Sequence, residues 1–324
     1  MFRTKSAYWS MWLMILMLVV APAGFAQDQK DKKEKSDKKE LTGTPVLWRD
    51  PTDLETRNLL LGAGGEEMKP NISHVTFIEQ KKGGYSTKYR VRDADGNEWI
   101  AKLGKEAQTD TAANRLVWAL GYETEIAYLI PHLKIDGKGE FDNVRLEARP
   151  ANVKRAGNWK WEKNPFLNTR EFRGLKILMV MLNNWDMKDD NNEILAPRGK
   201  TTGEAELRYI ISDLGGTFGK TGGFFSRSRN DPSDYEKATF IEKVNGDVID
   251  FNYGGKNQKL FENLTLADAR WLSALLNRLS DEQIKDAFRT SNYSPEEVDQ
   301  LAGAFKARIE ALSNPTSAAA AENK

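Results

Sequence analysis

Ten consecutive residues, Asn183 to Asn192, read N-N-W-D-M-K-D-D-N-N and concentrate the side chains that could do chemistry. An apolar run, Leu175 to Leu182, leads into them and predicts the buried end of a helix, so the polar cluster should lie at a surface or a cleft. Its carboxylates and amides could bind a cation. A calcium loop is a poorer interpretation, because Lys188 takes the third position of that pattern and Asn191 the sixth, where glycine is needed.

The spacing of Asp186 and Asn191 is similar to that of the protein-kinase catalytic loop, H-R-D-L-x-x-x-N, with an Asn in place of the motif's His and a Trp in place of its Arg. A second motif supports the resemblance. The run Arg208 to Ser212 predicts a short buried strand, and it delivers Asp213-Leu214-Gly215, which resembles the kinase D-F-G element. The chain therefore resembles the protein-kinase-like superfamily, as an atypical, extracytoplasmic bacterial member.

In kinases these positions orient the attacking hydroxyl and hold the metal of the nucleotide. The resemblance implies phosphoryl transfer from ATP with Mg²⁺ or Mn²⁺, with Asp186 as catalytic base and Lys188 on the γ-phosphate. It assigns Asn191 and Asp213 to the metal. Mg²⁺ usually takes one or two carboxylates together with phosphate oxygens, so these two side chains suit it. The implied partners are a nucleotide and an unknown phospho-acceptor.

Upstream, residue alternation predicts three β-strands with a hairpin turn between the last two: His74 to Gln80, Lys88 to Arg92 and Glu98 to Leu103. Lys102 ends the third strand in W-I-A-K, similar to the V-A-I-K strand whose lysine contacts nucleotide phosphates. The alternative is an edge lysine that snorkels to water. Gly83 and Gly84 lie between the first two strands, where they could cradle phosphate or form an ordinary hairpin turn.

A helix is predicted from Glu106 to Leu120, because apolar residues recur at helical spacing before Gly121. Kinases use an acid on this helix to hold the strand lysine. Glu106 and Asp110 lie one turn apart on one face, and either could serve; we favour Glu106. The alternative for Glu106 is an acid that only complements the helix dipole.

The fold class expected from this order is α+β, a two-lobed protein-kinase-like fold with a β-rich N-lobe and a mainly helical C-lobe. Capping-box signals predict three closing helices, and Trp159 and Trp161 should pack rather than stack on a ligand. The expected organisation is a signal peptide at 1–26, a disordered charged linker at 27–40, an N-terminal region and β-rich lobe at 41–149, a helical C-lobe at 150–313, and a disordered tail at 314–324.

The signal peptide is expected because Arg3 and Lys5 precede an apolar run, Met11 to Val20, and small residues at Gly24 to Ala26 suit cleavage. Ten apolar residues are too few for a comfortable membrane span, so we expect a periplasmic or secreted protein with no stable span after cleavage. An uncleaved N-terminal anchor is the alternative.

Composition narrows the remaining function classes. Lys plus Arg total 48 and Asp plus Glu 47, so no basic excess indicates a nucleic-acid partner. Without cysteine the chain has no disulfide, thiolate nucleophile or zinc–cysteine site, and two histidines make a His-rich metal centre a poor expectation. Three hypotheses stay open: an active phosphotransferase, a catalytically silent pseudokinase that serves as a binding module, and a structural envelope protein.

Overall fold

A computed structural model describes residues 42–199, 205–222 and 226–322. The chain divides into two compact units, Met1–Leu41 and Thr42–Lys324, and all described residues belong to the second. The expected signal peptide and charged linker therefore lie outside the described residues. In the part of the chain that is described, no helix is both long and apolar enough to cross a membrane.

The described residues form eleven strands: β1 (Thr44–Val46), β2 (Thr76–Lys81), β3 (Lys88–Arg92), β4 (Glu98–Lys102), β5 (Ala127–Ile135), β6 (Gly139–Ala148), β7 (Val153–Arg155), β8 (Asn192–Pro197), β9 (Glu206–Ile211), β10 (Ile241–Asn245) and β11 (Val248–Phe251). They also form seven α-helices: α1 (Glu106–Ala119), α2 (Arg170–Met181), α3 (Pro232–Lys237), α4 (Leu266–Leu276), α5 (Asp281–Arg289), α6 (Pro295–Ser313) and α7 (Pro315–Glu322). Strands dominate the first part and helices the second, which is the expected two-lobed, kinase-like α+β fold.

The β-rich lobe is a five-stranded antiparallel sheet in the order β2-β3-β4-β6-β5, and α1 packs against β5 and β6. Alternate residues such as Val91, Trp99 and Leu146 are buried in its core, as a sheet with one covered face requires. The predicted second strand is confirmed at its full length. The first and third differ from prediction by at most two residues at an end.

The helical lobe packs α2, α4, α5 and α6 around one apolar core. All three predicted capping boxes are present, at Thr265 with Asp268, Ser280 with Gln283 and Ser294 with Glu297. In each, the first side chain accepts a hydrogen bond from the backbone N–H of the second residue, whose own side chain accepts one in return. Trp159 and Trp161 are buried in this core, so the packing interpretation is confirmed.

A four-stranded sheet in the order β1-β9-β8-β7 belongs to the helical lobe, and its β1 runs parallel to β9. Sequence patterns did not predict β1. Leu47, Leu54 and Leu59, which follow it, are buried in the same core as the helices. The start of the described chain therefore contacts the helical lobe through β1 and these three leucines.

The expectation of a disordered tail from residue 314 is wrong for most of that segment. Pro315–Glu322 forms α7, which packs on α6 and β10 with Ala319 buried. An alanine run has the highest helix propensity, and a proline suits the first turn of a helix. Packing on β10 stabilises this helix. A run of small residues has no apolar periodicity from which that packing could be predicted.

Candidate active site

A cleft of about 600 Å³ lies between the five-stranded sheet and the helical lobe. Every residue that the sequence singled out for chemistry lines it: Gly83, Gly84, Lys102, Glu106, Asp110, Asp186, Lys188, Asn191 and Asp213. These residues come from five separate segments spread over 131 positions of the chain. The fold thus brings the predicted set together at one place.

Lys102 is at the centre of the cleft and is only 3% exposed, so it is not an edge lysine that snorkels to water. Its Nζ donates to Asp110 Oδ2 at 2.9 Å and to Asp213 Oδ1 at 2.8 Å, and lies 3.3 Å from Glu106 Oε2. Burial alone would lower the pKa of Lys102, but the nearby carboxylates of Asp110 and Asp213 outweigh burial and raise it. The lysine therefore stays charged.

Asp110, not Glu106, is the helix acid closer to the lysine. It is 1% exposed, and its Oδ1 also accepts a hydrogen bond from Leu214 N at 3.2 Å. Glu106 contacts Lys102 more loosely and is shared with Arg229 and with Ser86, whose Oγ donates to it at 2.6 Å. Both acids therefore contact the lysine, but Asp110 lies closer, because two further donors compete for the carboxylate of Glu106.

Asp213 follows β9 and faces the cleft. Burial would raise the pKa of its carboxyl, but the charge and hydrogen bond of Lys102 outweigh burial and lower the pKa to about 2. Gly215 N donates to its Oδ1 at 3.1 Å. A Cβ on Gly215 would lie 2.7 Å from the Glu106 Cβ and 3.0 Å from Lys102 Nζ, so only glycine fits there. The Asp-Leu-Gly motif therefore has a steric reason for its last residue.

The catalytic-like loop holds Asp186 between two cations. Lys188 Nζ lies 2.8 Å from Oδ2 and Lys256 Nζ lies 2.6 Å from Oδ1. Burial would raise the pKa of Asp186, but the hydrogen bonds from both lysines outweigh it and lower the pKa. Asn191 Nδ2 donates to the Asp186 backbone oxygen at 2.7 Å, which closes the loop on itself.

Sequence reasoning missed Lys256, which follows the β10–β11 hairpin within the run N-Y-G-G-K-N. It also missed several charged residues that line the cleft: Arg145, Glu147, Arg149, Glu193, Arg227 and Arg229. The antiparallel register places Arg145 opposite Lys102, so a strand prediction that included pairing could have found it. No motif or spacing in the sequence points to Lys256.

The residues present fit a divalent metal only in part. Among the described residues, no three His, Cys, Asp or Glu side chains are grouped closely enough to hold a metal ion. Asp213 and Asn191 both line the cleft and offer a carboxylate and an amide oxygen, which are the hard donors that Mg²⁺ prefers. Such a pair needs further oxygens from a bound ligand, as expected for a metal that arrives with a nucleotide.

Comparison of the sequence with models of protein families and with curated proteins finds no match. Solved structures of several kinases are similar in fold. The proinflammatory kinase CtkA of Helicobacter pylori has a TM-score of 0.45 at 13% identity, over 74% of this chain and 96% of that one. The Rio2 kinase of Chaetomium thermophilum, solved as an ADP/Mg²⁺-phosphoaspartate complex, has 0.34 at 10% over 75% and 73%. A Golgi casein kinase has 0.30 at 10% over 75% of each chain.

These likenesses are distant, and they say nothing of activity. The chain itself has the two-lobed, kinase-like fold, with a strand lysine, a helix acid, an Asp-x-x-x-x-Asn loop and an Asp-Leu-Gly motif in kinase order around one cleft. The geometry of those side chains carries the functional inference.

Proposed function

We propose that this protein is a phosphotransferase that uses ATP with Mg²⁺ or Mn²⁺. The observation that carries the proposal is the direct contact of Lys102 with Asp213, 2.8 Å apart, in the cleft that Asp186 and Asn191 also line. A strand cation, a metal-binding carboxylate and a hydroxyl-orienting carboxylate on one cleft are the parts that phosphoryl transfer needs.

In this assignment Lys102 and Lys188 would bind phosphate oxygens, and the backbone of Gly83 and Gly84, which line the same cleft, would lie close to them. Both glycines have positive φ, at 95° and 84°, which other residues rarely adopt. Asp213 and Asn191 would hold the metal ion, and its charge would offset the negative charge of the phosphates. The acceptor oxygen forms a bond to the γ-phosphorus, the bond to the β–γ bridging oxygen breaks, ADP leaves, and Asp186 takes the hydroxyl proton.

A pseudokinase that binds a ligand without turnover is the second candidate, and the cleft gives a specific reason for it. Among the described residues that line the cleft, Ile100 is the one aliphatic side chain. Of the two aromatic ones, Tyr85 and Trp185, the second is buried, and Glu147 and Glu193 line the same space. A purine ring needs apolar faces. Asp186 also forms ion pairs with two lysines. These lysines would have to move away from the carboxylate before Asp186 could act as a base.

The test is incubation of the purified chain with labelled ATP and either Mg²⁺ or Mn²⁺, scoring self-labelling and ATP hydrolysis together with nucleotide binding. Transfer that Asp186→Ala abolishes would support the phosphotransferase. Binding without transfer would support the pseudokinase. No nucleotide binding under any metal condition would favour the structural envelope protein and reject both.

We also propose that the protein acts outside the cytoplasm, after removal of residues 1–26. The support is the sequence pattern of that segment alone. Mass spectrometry of the native protein should find a mature chain that begins near Gln27. An intact N-terminal segment in a membrane fraction would replace this proposal with an anchored protein.

A further inference from the structure

Trp185, which directly precedes Asp186, is surrounded by basic side chains. Arg227 lies 4.1 Å, Arg229 4.5 Å and Lys256 6.0 Å from the centre of its ring. All four side chains line the cleft on the side of Asp186. We call Trp185, Arg227, Arg229 and Lys256 the cationic collar. Cations over an indole face are attracted by its negative charge distribution, so the ring helps to hold them together.

The position of Lys256 in the collar is fixed by its backbone. Lys256 N donates to Trp185 O at 2.9 Å, and Tyr253 Oη donates to Asn184 O at 2.8 Å. Asn257 Nδ2 donates to the backbone oxygen of Met187. The segment after β11 is thus hydrogen-bonded to three backbone oxygens of the catalytic-like loop, and Lys256 is not a surface lysine that reached Asp186 by chance.

The cations of this region outnumber the acids that face them. Lys188 adds a fourth basic side chain to the three of the collar. Three described acids face these four cations: Asp186 contacts both lysines, Glu106 contacts Arg229, and Asp190 lines the same cleft. Among the described residues that line the cleft, nine are basic and seven are acidic. Lys188 and Lys256 are 43% and 39% exposed, so a ligand can reach both. A cleft with such an excess attracts anions.

The surface extends beyond a single anion. The ring of Tyr85, from the glycine-containing loop, lies 4.5 Å from the Arg229 guanidinium and is 81% exposed. Trp185 is buried beneath its cations, so the exposed Tyr85 ring and the basic side chains next to it form the surface on which an extended chain could lie. A free phosphate or a small acid would use only part of it.

We propose that the cationic collar is the acceptor site and that it selects a peptide with a seryl or threonyl hydroxyl flanked by Asp or Glu. The role of the hydroxyl rests on the proposed phosphotransferase function. The binding of the acidic peptide does not, because the collar exists without nucleotide. Carboxylates of the peptide would pair with Arg227 and Lys256, which leaves Asp186 closer to the hydroxyl that it would orient.

Binding should be measured by fluorescence anisotropy without nucleotide, using a labelled peptide D-E-D-S-D-E-D and its neutral counterpart N-Q-N-S-N-Q-N. The acidic peptide should bind at least about tenfold more tightly, since hydrogen bonds between charged groups are the strong ones, and added salt should weaken it. Lys256→Met and Arg227→Met should each cost about tenfold. Lys256→Arg should retain binding.

Lys259→Met is the matched control, because Lys259 is exposed and does not line the cleft. It should leave binding unchanged. Equal binding of the two peptides, or an equal loss in Lys259→Met, would overturn the inference. Displacement of the acidic peptide by inorganic phosphate at the same concentration would overturn the choice of a peptide in favour of a small anion. Loss of ATP turnover with retained peptide binding would count against the phosphotransferase only.

Discussion

Asp110 Oδ2 lies 2.9 Å from Lys102 Nζ, while the other acid of the same helix face, Glu106, lies 3.3 Å away and also contacts Arg229. Asp110 also contacts the buried Arg145 guanidinium at 3.6 Å. The two acids therefore have different tasks. Asp110 compensates buried charge, whereas Glu106 connects the helix to the segment that follows the Asp-Leu-Gly motif.

Asp110→Asn should destabilise the fold by about 3 kcal/mol, because it leaves buried cations short of a partner. Glu106→Gln should cost less, about 1 kcal/mol, since its partner Arg229 is partly exposed and can turn to water. Urea unfolding of both variants measures the difference. A larger loss in Glu106→Gln than in Asp110→Asn would contradict this division of tasks.

Under the proposed function, Asp213→Ala should abolish metal-dependent nucleotide binding, because Asp213 would be the only charged protein ligand of the metal. Asp186→Ala should leave nucleotide affinity nearly unchanged and lower kcat, because in the proposed mechanism Asp186 would act only when the hydroxyl attacks. Calorimetric titration and steady-state kinetics separate the two. Equal loss of affinity in both variants would show that Asp186 belongs to the nucleotide site.

Ser294→Ala should destabilise the protein by about 1 kcal/mol through loss of the N-cap of α6. Ser317→Ala is the matched control, because Ser317 is an exposed residue of α7 and alanine is a good helix former. Thermal unfolding of both variants gives the comparison. Equal shifts in Tm would mean that the capping box of α6 contributes no stability.

Glu125 should make stability depend on pH. Burial and the neighbouring Glu147 raise the pKa of Glu125 from its ordinary 4.5 to about 7, against the opposing charge of Arg155. Between these values the folded chain holds a proton that the unfolded chain has released. The free energy of unfolding should therefore decrease as pH rises from about 4.5 to about 7, because the proton that Glu125 binds in the folded chain becomes harder to retain. Urea midpoints across this window should show a smaller decrease in Glu125→Gln; an unchanged profile would contradict the prediction.

The elements that could be predicted from the sequence are those whose signals lie close together in the chain. The strand lysine, the helix, the capping boxes and the loop motifs were all identified within a few residues, because periodicity and spacing record local geometry. Lys256 could not be found in this way, since it is 70 residues from Asp186 and its place depends on how a hairpin packs on the loop. The different contacts of Glu106 and Asp110 could not be predicted for a related reason: Arg229, which competes for Glu106, is 123 residues away in the sequence.

Strand β1 has a consequence for how the domain can be shortened. It is the edge strand beside β9, and without it the backbone N–H and C=O groups of β9 would be open to pairing with another chain. Deletion of residues before Val75 would also uncover the core that Leu47, Leu54 and Leu59 cover. A fragment that begins at Val75 is therefore expected to self-associate, whereas one that begins at Thr42 keeps its sheet edge protected.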